Sequence, residues 1–356
     1  MSAGAMHPYK TAPERAFWSR SVSVNFDPRK LIDAREPLIR RGDKVVSAGS
    51  CFASNLVPYL EKSGLHYFRT EAMHPAFAHA ATDNFGYSKF SAAYGNIYTV
   101  RQLLQLLRRA LDQFHPVENH WDKDGDIVDP FRPGLRYRAR TTGEFTALTR
   151  QHLARTKLAF TAANVFVLTL GLTEAWISSS DGAVFPACPG TIAGQFDADR
   201  HLFHNFTASE VSADLNSFIT ELRAINKTCR FIITVSPVPL VATAGTEHVL
   251  CASTYSKSVL RVAAQEAVMQ HADVTYFPSY EIVTGPQAPD SYFESDRRNV
   301  TNEAVEAVMS TLLSHCETIS TQAALVPRAM ESGALVAGAL SNLISEAECE
   351  EVMMGR

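Results

Sequence analysis

The sequence predicts an α/β fold, a parallel sheet covered by helices on both faces. Short apolar runs such as Asn164-Val165-Phe166-Val167-Leu168-Thr169-Leu170-Gly171 have the length and composition of strands buried on both sides. These runs alternate with helix-spaced segments, the arrangement that pairs strands in parallel through helical crossovers. Polar residues cluster just after the strands, at the carboxyl edge where ligands sit in such folds.

Residues 1–42 mix Pro, Arg and aromatics without a period and read as an irregular N-terminal arm packed on the domain. Residues 44–49 form a short buried strand ending in glycine. Phe52, Leu56, Tyr59 and Leu60 follow at helical spacing, so the unit is strand, tight turn, helix, with Pro58 tolerated in the early part of the helix. Residues 66–98, rich in aromatics, histidines and small side chains, hold no long period and read as a long loop region near the surface. Thr99 then caps an amphipathic helix carrying Val100, Leu103, Leu104, Leu107 and Leu111. Residues 115–145 are turn-rich. A helix over 144–163 leads into the strand at 164–171, and the alternation continues with a helix over 208–226 and a strand over 230–235. A helix over 255–270, a short strand over 274–277 and a helix over 302–314 complete it.

The whole chain has 356 residues, which at about 100–200 residues per domain would allow two. The order of the elements assigns residues 43–315 to one domain. Residues 316–356 form an Ala-, Ser- and Glu-rich tail, helical or partly disordered, whose leucines offer a surface for a homo-oligomer. A net charge of −4 gives no electrostatic footprint for nucleic acid or an anionic membrane. No apolar run reaches the length of a membrane span, and the first twenty residues lack the apolar block of a secretory signal. Six cysteines without a CxxC pair fit a reducing compartment, so a cytoplasmic protein is expected.

Four strand ends carry the candidate chemistry: Gly49-Ser50, Gly171-Leu172-Thr173-Glu174, Ser236-Pro237-Val238-Pro239 and Phe277-Pro278-Ser279-Tyr280-Glu281. A serine directly after a strand and at the start of a helix exposes its hydroxyl at the sheet edge, which makes Ser50 a nucleophile candidate. The alternative is that Ser50 only caps the helix. Cys51 is a rival nucleophile, because a thiol at a helix N-terminus can have a lowered pKa. Trp176, Tyr98 and Tyr280 could stack on a sugar ring or simply pack in the core. Asp122, Asp124 and Asp126 alternate as in a calcium loop, but Pro133 stands where the late Glu of such a loop would be, so no metal is expected. No glycine pattern matches a phosphate-binding loop, and no cofactor is expected.

The run Gly49-Ser50-Cys51-Phe52-Ala53 is the signature of the GSCFA family, which is similar to the SGNH (GDSL-like) hydrolases. The chain resembles this family across residues 43–315. Tyr94-Gly95-Asn96-Ile97-Tyr98-Thr99, Thr169-Leu170-Gly171-Leu172-Thr173-Glu174-Ala175-Trp176, Thr234-Val235-Ser236-Pro237-Val238-Pro239, Tyr255-Ser256-Lys257 and Tyr276-Phe277-Pro278-Ser279-Tyr280-Glu281 look like its further blocks, in order. The resemblance implies a three-layer α/β/α fold and a serine nucleophile at Ser50, flanked by Gly49 and Cys51. It implies an oxyanion hole drawn from the Ser50 amide, Gly95-Asn96 and the block at Gly171. Where an SGNH enzyme has an asparagine donor this chain has Thr173 and Glu174, so Thr173 or Asn96 would have to donate. Asp296 matches the late aspartate, but Asn299 stands where the histidine would be, and an amide is no general base. Of twelve histidines, His248 is the first choice of base and His74 the second, with Lys257 a further option.

What the resemblance implies is a serine-dependent esterase or acyltransferase acting on an O-acylated carbohydrate or similar small ester. The competing expectation is a non-catalytic carbohydrate-binding or scaffold protein with a degenerate site.

Overall fold

A computed structural model of the chain describes residues 7–72, 87–135 and 138–318. His74 and the tail proposed for oligomerisation lie outside the described residues. After a helical turn at Trp18–Ser21 (α1), the chain enters the strand Val45–Gly49 (β1), the helices Cys51–Ser54 (α2) and Leu56–Lys62 (α3), and then Val100–Ala110 (α4). A hairpin of Trp121–Lys123 (β2) and Asp126–Val128 (β3) precedes the helix Thr142–Ala162 (α5) and the strand Val165–Leu170 (β4). Glu174–Ser178 (β5), Val184–Phe185 (β6) and His201–Asn205 (β7) follow, then Ala208–Ile225 (α6), Arg230–Val235 (β8), Val249–Gln270 (α7), Val274–Tyr276 (β9), Ser279–Thr284 (α8) and Asn302–Ser314 (α9).

The central sheet has the order β1-β4-β8-β9, all parallel. Its strands are apolar on both faces because both faces are covered. Val46, Ala48, Phe166, Leu168, Phe231 and Ile233 point to one side, where α4, α5, α6 and α7 pack. Val45, Val165, Val167 and Ile232 point to the other, against α2, α3, α8 and α9 and against Leu38 and Ile39 of the N-terminal arm. The sheet thus lies between two helical layers, as expected. The register sets Gly49 beside Thr169 and Leu170 beside Val235, so β1, β4 and β8 end at one edge. Among the described residues no helix is long and apolar enough to cross a membrane.

Local chemistry explains most boundaries. Threonine hydroxyls at 99, 141, 207 and 301 accept from backbone N–H groups in the first turns of α4, α5, α6 and α9. Pro58 sits in the first turn of α3, where its missing N–H leaves no helical bond unmade, and the chain is broken from α2 at Asn55.

Three expectations need correction. Residues 87–98 are irregular but not superficial: Phe90, Ser91, Ala92, Tyr94 and Ile97 are buried in the main core. Their lack of period reflects a segment that packs through single side chains rather than a repeating face. Within the turn-rich 115–145 stretch, where nothing needs correcting, the aspartates at 122–126 belong to the β2–β3 hairpin, in which Asp124 and Gly125 both have positive φ, the geometry of a two-residue Asp-Gly turn. A second, antiparallel sheet of order β6-β5-β7 follows β4, in a stretch where the sequence predicts no element between the strand end at 171–174 and the helix at 208. Finally, α7 begins at Val249 rather than at Tyr255, which puts Lys257 inside the helix instead of at its mouth.

Candidate active site

Gly49 makes the turn after β1 possible. A Cβ there would lie 2.6 Å from the Thr169 carbonyl oxygen and 2.9 Å from Ala53 Cβ, so only glycine allows β1 to end against β4 and pass directly into α2. Ser50 follows in an extended conformation at the N-cap of α2, 7% exposed, and its side chain makes no capping hydrogen bond. In this it differs from the four capping threonines. Its hydroxyl is held at the sheet edge without being consumed by the helix it precedes.

Two other blocks close on this serine. Ile97 N–H donates to the Gly49 carbonyl at 2.8 Å and Leu172 N–H donates to the Tyr98 carbonyl at 2.8 Å, drawing residues 95–98 between the ends of β1 and β4. Gly171 is pressed into the same space: a Cβ on it would stand 3.0 Å from Tyr98 O and 3.5 Å from Ser50 Cβ. The 94–98 segment is braced from behind. Glu71 Oε2 accepts from Ala93 N–H at 2.9 Å and from His152 Nδ1–H at 2.7 Å, while Arg132 Nη1 donates to the Ala93 carbonyl at 3.1 Å. Burial pushes the Glu71 carboxyl up, but His152 and Arg132 outweigh it and hold the group below its ordinary range. Gln102, on the first turn of α4, accepts from Tyr98 N–H and donates to the Asn96 carbonyl.

The third wall is α7. Ser253, Ser256 and Lys257 continue, at helical spacing, the buried stripe that Leu260, Ala263, Ala264 and Ala267 lay on the sheet. Beyond the strand ends the stripe turns polar. Ser253 Oγ accepts from Leu240 N–H at 3.3 Å and Ser256 Oγ from Thr173 N–H at 3.0 Å. Lys257, 3% exposed, donates from Nζ to the Gly171 carbonyl at 2.8 Å. Burial, aided by the charge of Arg298, lowers the Lys257 pKa from 10.5 to about 7. A lysine in this state is neutral in a large share of molecules near pH 7 and can accept a proton.

Glycine 49, Ser50, Gly95, Gly171 and Lys257 all fall within one region of sequence similarity. The GSCFA family model matches residues 44–312. The chain belongs to the GSCFA family. No curated protein matches it in sequence. Among solved structures it is similar to an acetyl xylan esterase from the rumen bacterium Butyrivibrio proteoclasticus, at 11% identity and a TM-score of 0.31. That comparison covers 77% of this chain, which spans 63% of the esterase's length.

The remaining GSCFA site candidates are distributed as follows. Asp296 keeps a partner three residues on: its carboxylate accepts from Asn299 Nδ2 at 2.6 Å and from the Arg298 and Asn299 N–H groups, each at 2.9 Å. Burial raises the Asp296 pKa, but these bonds and the Arg298 charge more than offset it, holding the carboxyl below its usual value. The loop is connected to the site electrically, through the effect of Arg298 on Lys257. His248 is exposed and caps α7, with Nδ1 accepting from Leu250 N–H at 3.2 Å. Nine residues separate it from Lys257, about 13 Å along the helix. Thr173 is fully buried and donates its hydroxyl to Asn205 Oδ1 at 2.6 Å. Asn96 donates from Nδ2 to Tyr98 Oη at 3.0 Å. Glu174 Oε1 accepts from Thr243 Oγ1 at 2.8 Å, and burial raises its pKa. Cys51 is the first residue of α2. Tyr280 lies on α8 and packs on the main core.

Beside the Tyr98–Leu172 contact opens a cleft of about 310 Å³, walled by Trp176 and Phe203 of the second sheet, Phe185, and residues 239–244. Sequence reasoning did not find this cleft, because the strands that build it were not foreseen. It also missed Ser253, and it quoted Ser256 only within a family block; an earlier start of α7 would have placed both on the stripe leading to Lys257.

Proposed function

We propose that this GSCFA chain is a serine-dependent esterase or O-acyltransferase, with Ser50 as nucleophile and neutral Lys257 as the base in place of the missing histidine. The supporting observation is the contact chain at the sheet edge. Ser50 packs on Gly171, and the Gly171 carbonyl accepts from Nζ of a lysine whose pKa burial has brought to about 7.

In the first step Lys257 accepts the Ser50 proton while Ser50 Oγ bonds to the ester carbonyl carbon. The resulting oxyanion is met by backbone amides at the converging ends. The N–H groups of Ile97, Tyr98, Leu172 and Thr173 are already committed within the protein, and the Ser50 and Gly95 amides are the proposed donors. The carbon–oxygen bond to the alcohol then breaks, and Lys257 returns the proton to the leaving alkoxide. Water or a second hydroxyl takes the acyl group from Ser50 by the same steps in reverse. Asp296 and Asn299 hold the loop that presents Arg298, whose charge adds to the burial that lowers the Lys257 pKa. O-acylated carbohydrates and similar small neutral esters are the proposed substrates.

A fluorophosphonate probe tests this reading. Covalent labelling is expected at Ser50, mapped by peptide mass spectrometry, and is expected to vanish in Ser50→Ala. A folded sample that takes no label favours a binding protein with a degenerate site.

A further inference from the structure

The 310 Å³ cleft beside the site has a composition that bears on the substrate. Its lining includes Tyr98 and Leu172, the two residues joined beside Gly171, which itself packs on Ser50. The second sheet and residues 239–244 supply further walls, with Trp176, Phe185, Phe203 and Leu240 among them. Gln102, Thr99, Thr243, Glu174 and Thr191 on its lining are already engaged with the protein. Gln102 is held at both ends by the 96–98 backbone, and Thr99 Oγ1 accepts from Gln102 N–H. Thr243 donates to Glu174, and Thr191 donates to the Cys188 carbonyl at 2.7 Å. A sugar ring in this space would lose water from its hydroxyls and find few groups to replace it, whereas a hydrocarbon would lose nothing.

We propose that the cleft is the acyl subsite and that the ester carried to Ser50 bears a medium-length saturated acyl chain rather than an acetyl group. This rests on the nucleophilic role proposed for Ser50, since that role fixes the carbonyl carbon beside Tyr98 and Leu172. With a methylene filling about as much space as a water molecule, roughly 30 Å³, the cleft holds a chain of about eight to ten carbons.

Two measurements on the full chain separate this inference from the activity. The first is kcat/KM for p-nitrophenyl esters from acetate to palmitate. Each buried methylene is expected to raise it about threefold up to octanoate or decanoate, with a fall beyond. Ala187→Phe, which fills the cleft from a lining position, is expected to move the optimum to butyrate or shorter while acetate turnover persists. The second is binding of decanoate, read as quenching of tryptophan fluorescence and lost in Trp176→Phe and in Ala187→Phe. An optimum at acetate in the wild type overturns the acyl subsite while leaving Ser50 as nucleophile. If no ester is turned over, the activity reading fails, and decanoate binding still decides the cleft: saturable quenching supports it and its absence overturns it.

Discussion

At the residue scale, the site depends on two glycines and one lysine whose surroundings leave them little choice. Gly49 and Gly171 let backbone segments close on Ser50, and Lys257 reaches the Gly171 carbonyl from the opposite layer. Gly49→Ala would drive a Cβ to 2.6 Å from the Thr169 carbonyl, where backbone cannot yield cheaply. A loss of about 3 kcal/mol is expected, read as a lower urea midpoint at unchanged slope. The glycines and the serine were legible in the sequence, because a strand ending in Gly-Ser before a helix has few other uses. The choice of base was less so: the start of α7 at Val249 makes His248 an exposed cap and sets Lys257, the further option, on a buried stripe, and a helix start is hard to place from sequence alone.

At the scale of elements, α7 connects the sheet to the chemistry. Its apolar half covers the sheet, and its polar half binds the strand ends through Ser253, Ser256 and Lys257. Ser256→Ala would leave the Thr173 N–H without an acceptor in a fully buried position, a cost of about 1–3 kcal/mol. Because Thr173 adjoins Leu172, hydrolysis of esters by this variant is expected to fall more than its stability alone explains, checked by kcat/KM at a temperature where the variant is fully folded. The four parallel strands could be read from their apolar runs, and the order of helices from their spacing. The second sheet could not. Its strands mix polar and apolar residues without strict alternation, since β5 and β7 are partly open to the cleft and to solvent. The buried 87–98 segment escaped for a related reason, as a chain without a repeating face gives no period to detect.

At the scale of the whole molecule, holding Lys257 in the interior couples the site to global stability. The unfolded chain keeps this proton up to the ordinary value of 10.5, whereas the folded chain releases it at about 7. Between these values the unfolded state binds more protons, so this group makes stability rise with pH, and the contribution is lost as pH falls toward 7. The difference in unfolding free energy between wild type and Lys257→Met is therefore expected to shift in favour of the wild type from pH 7 to 9. The slope would be at most about 1.4 kcal/mol per unit. Urea denaturation at several pH values reads it, and a flat difference would mean that the buried lysine stays charged.

The most direct measurement of the central claim is the rate at which a fluorophosphonate modifies Ser50 as a function of pH. The account predicts a rate that rises through a midpoint of about 7, as Lys257 loses its proton. In Lys257→Met the rate should be lower by about a hundredfold or more, without that midpoint. In Arg298→Gln the midpoint should move upward, because a positive charge that disfavours protonated Lys257 is gone. Labelling of Ser50 that is unchanged in Lys257→Met, or label found on another residue, would contradict it.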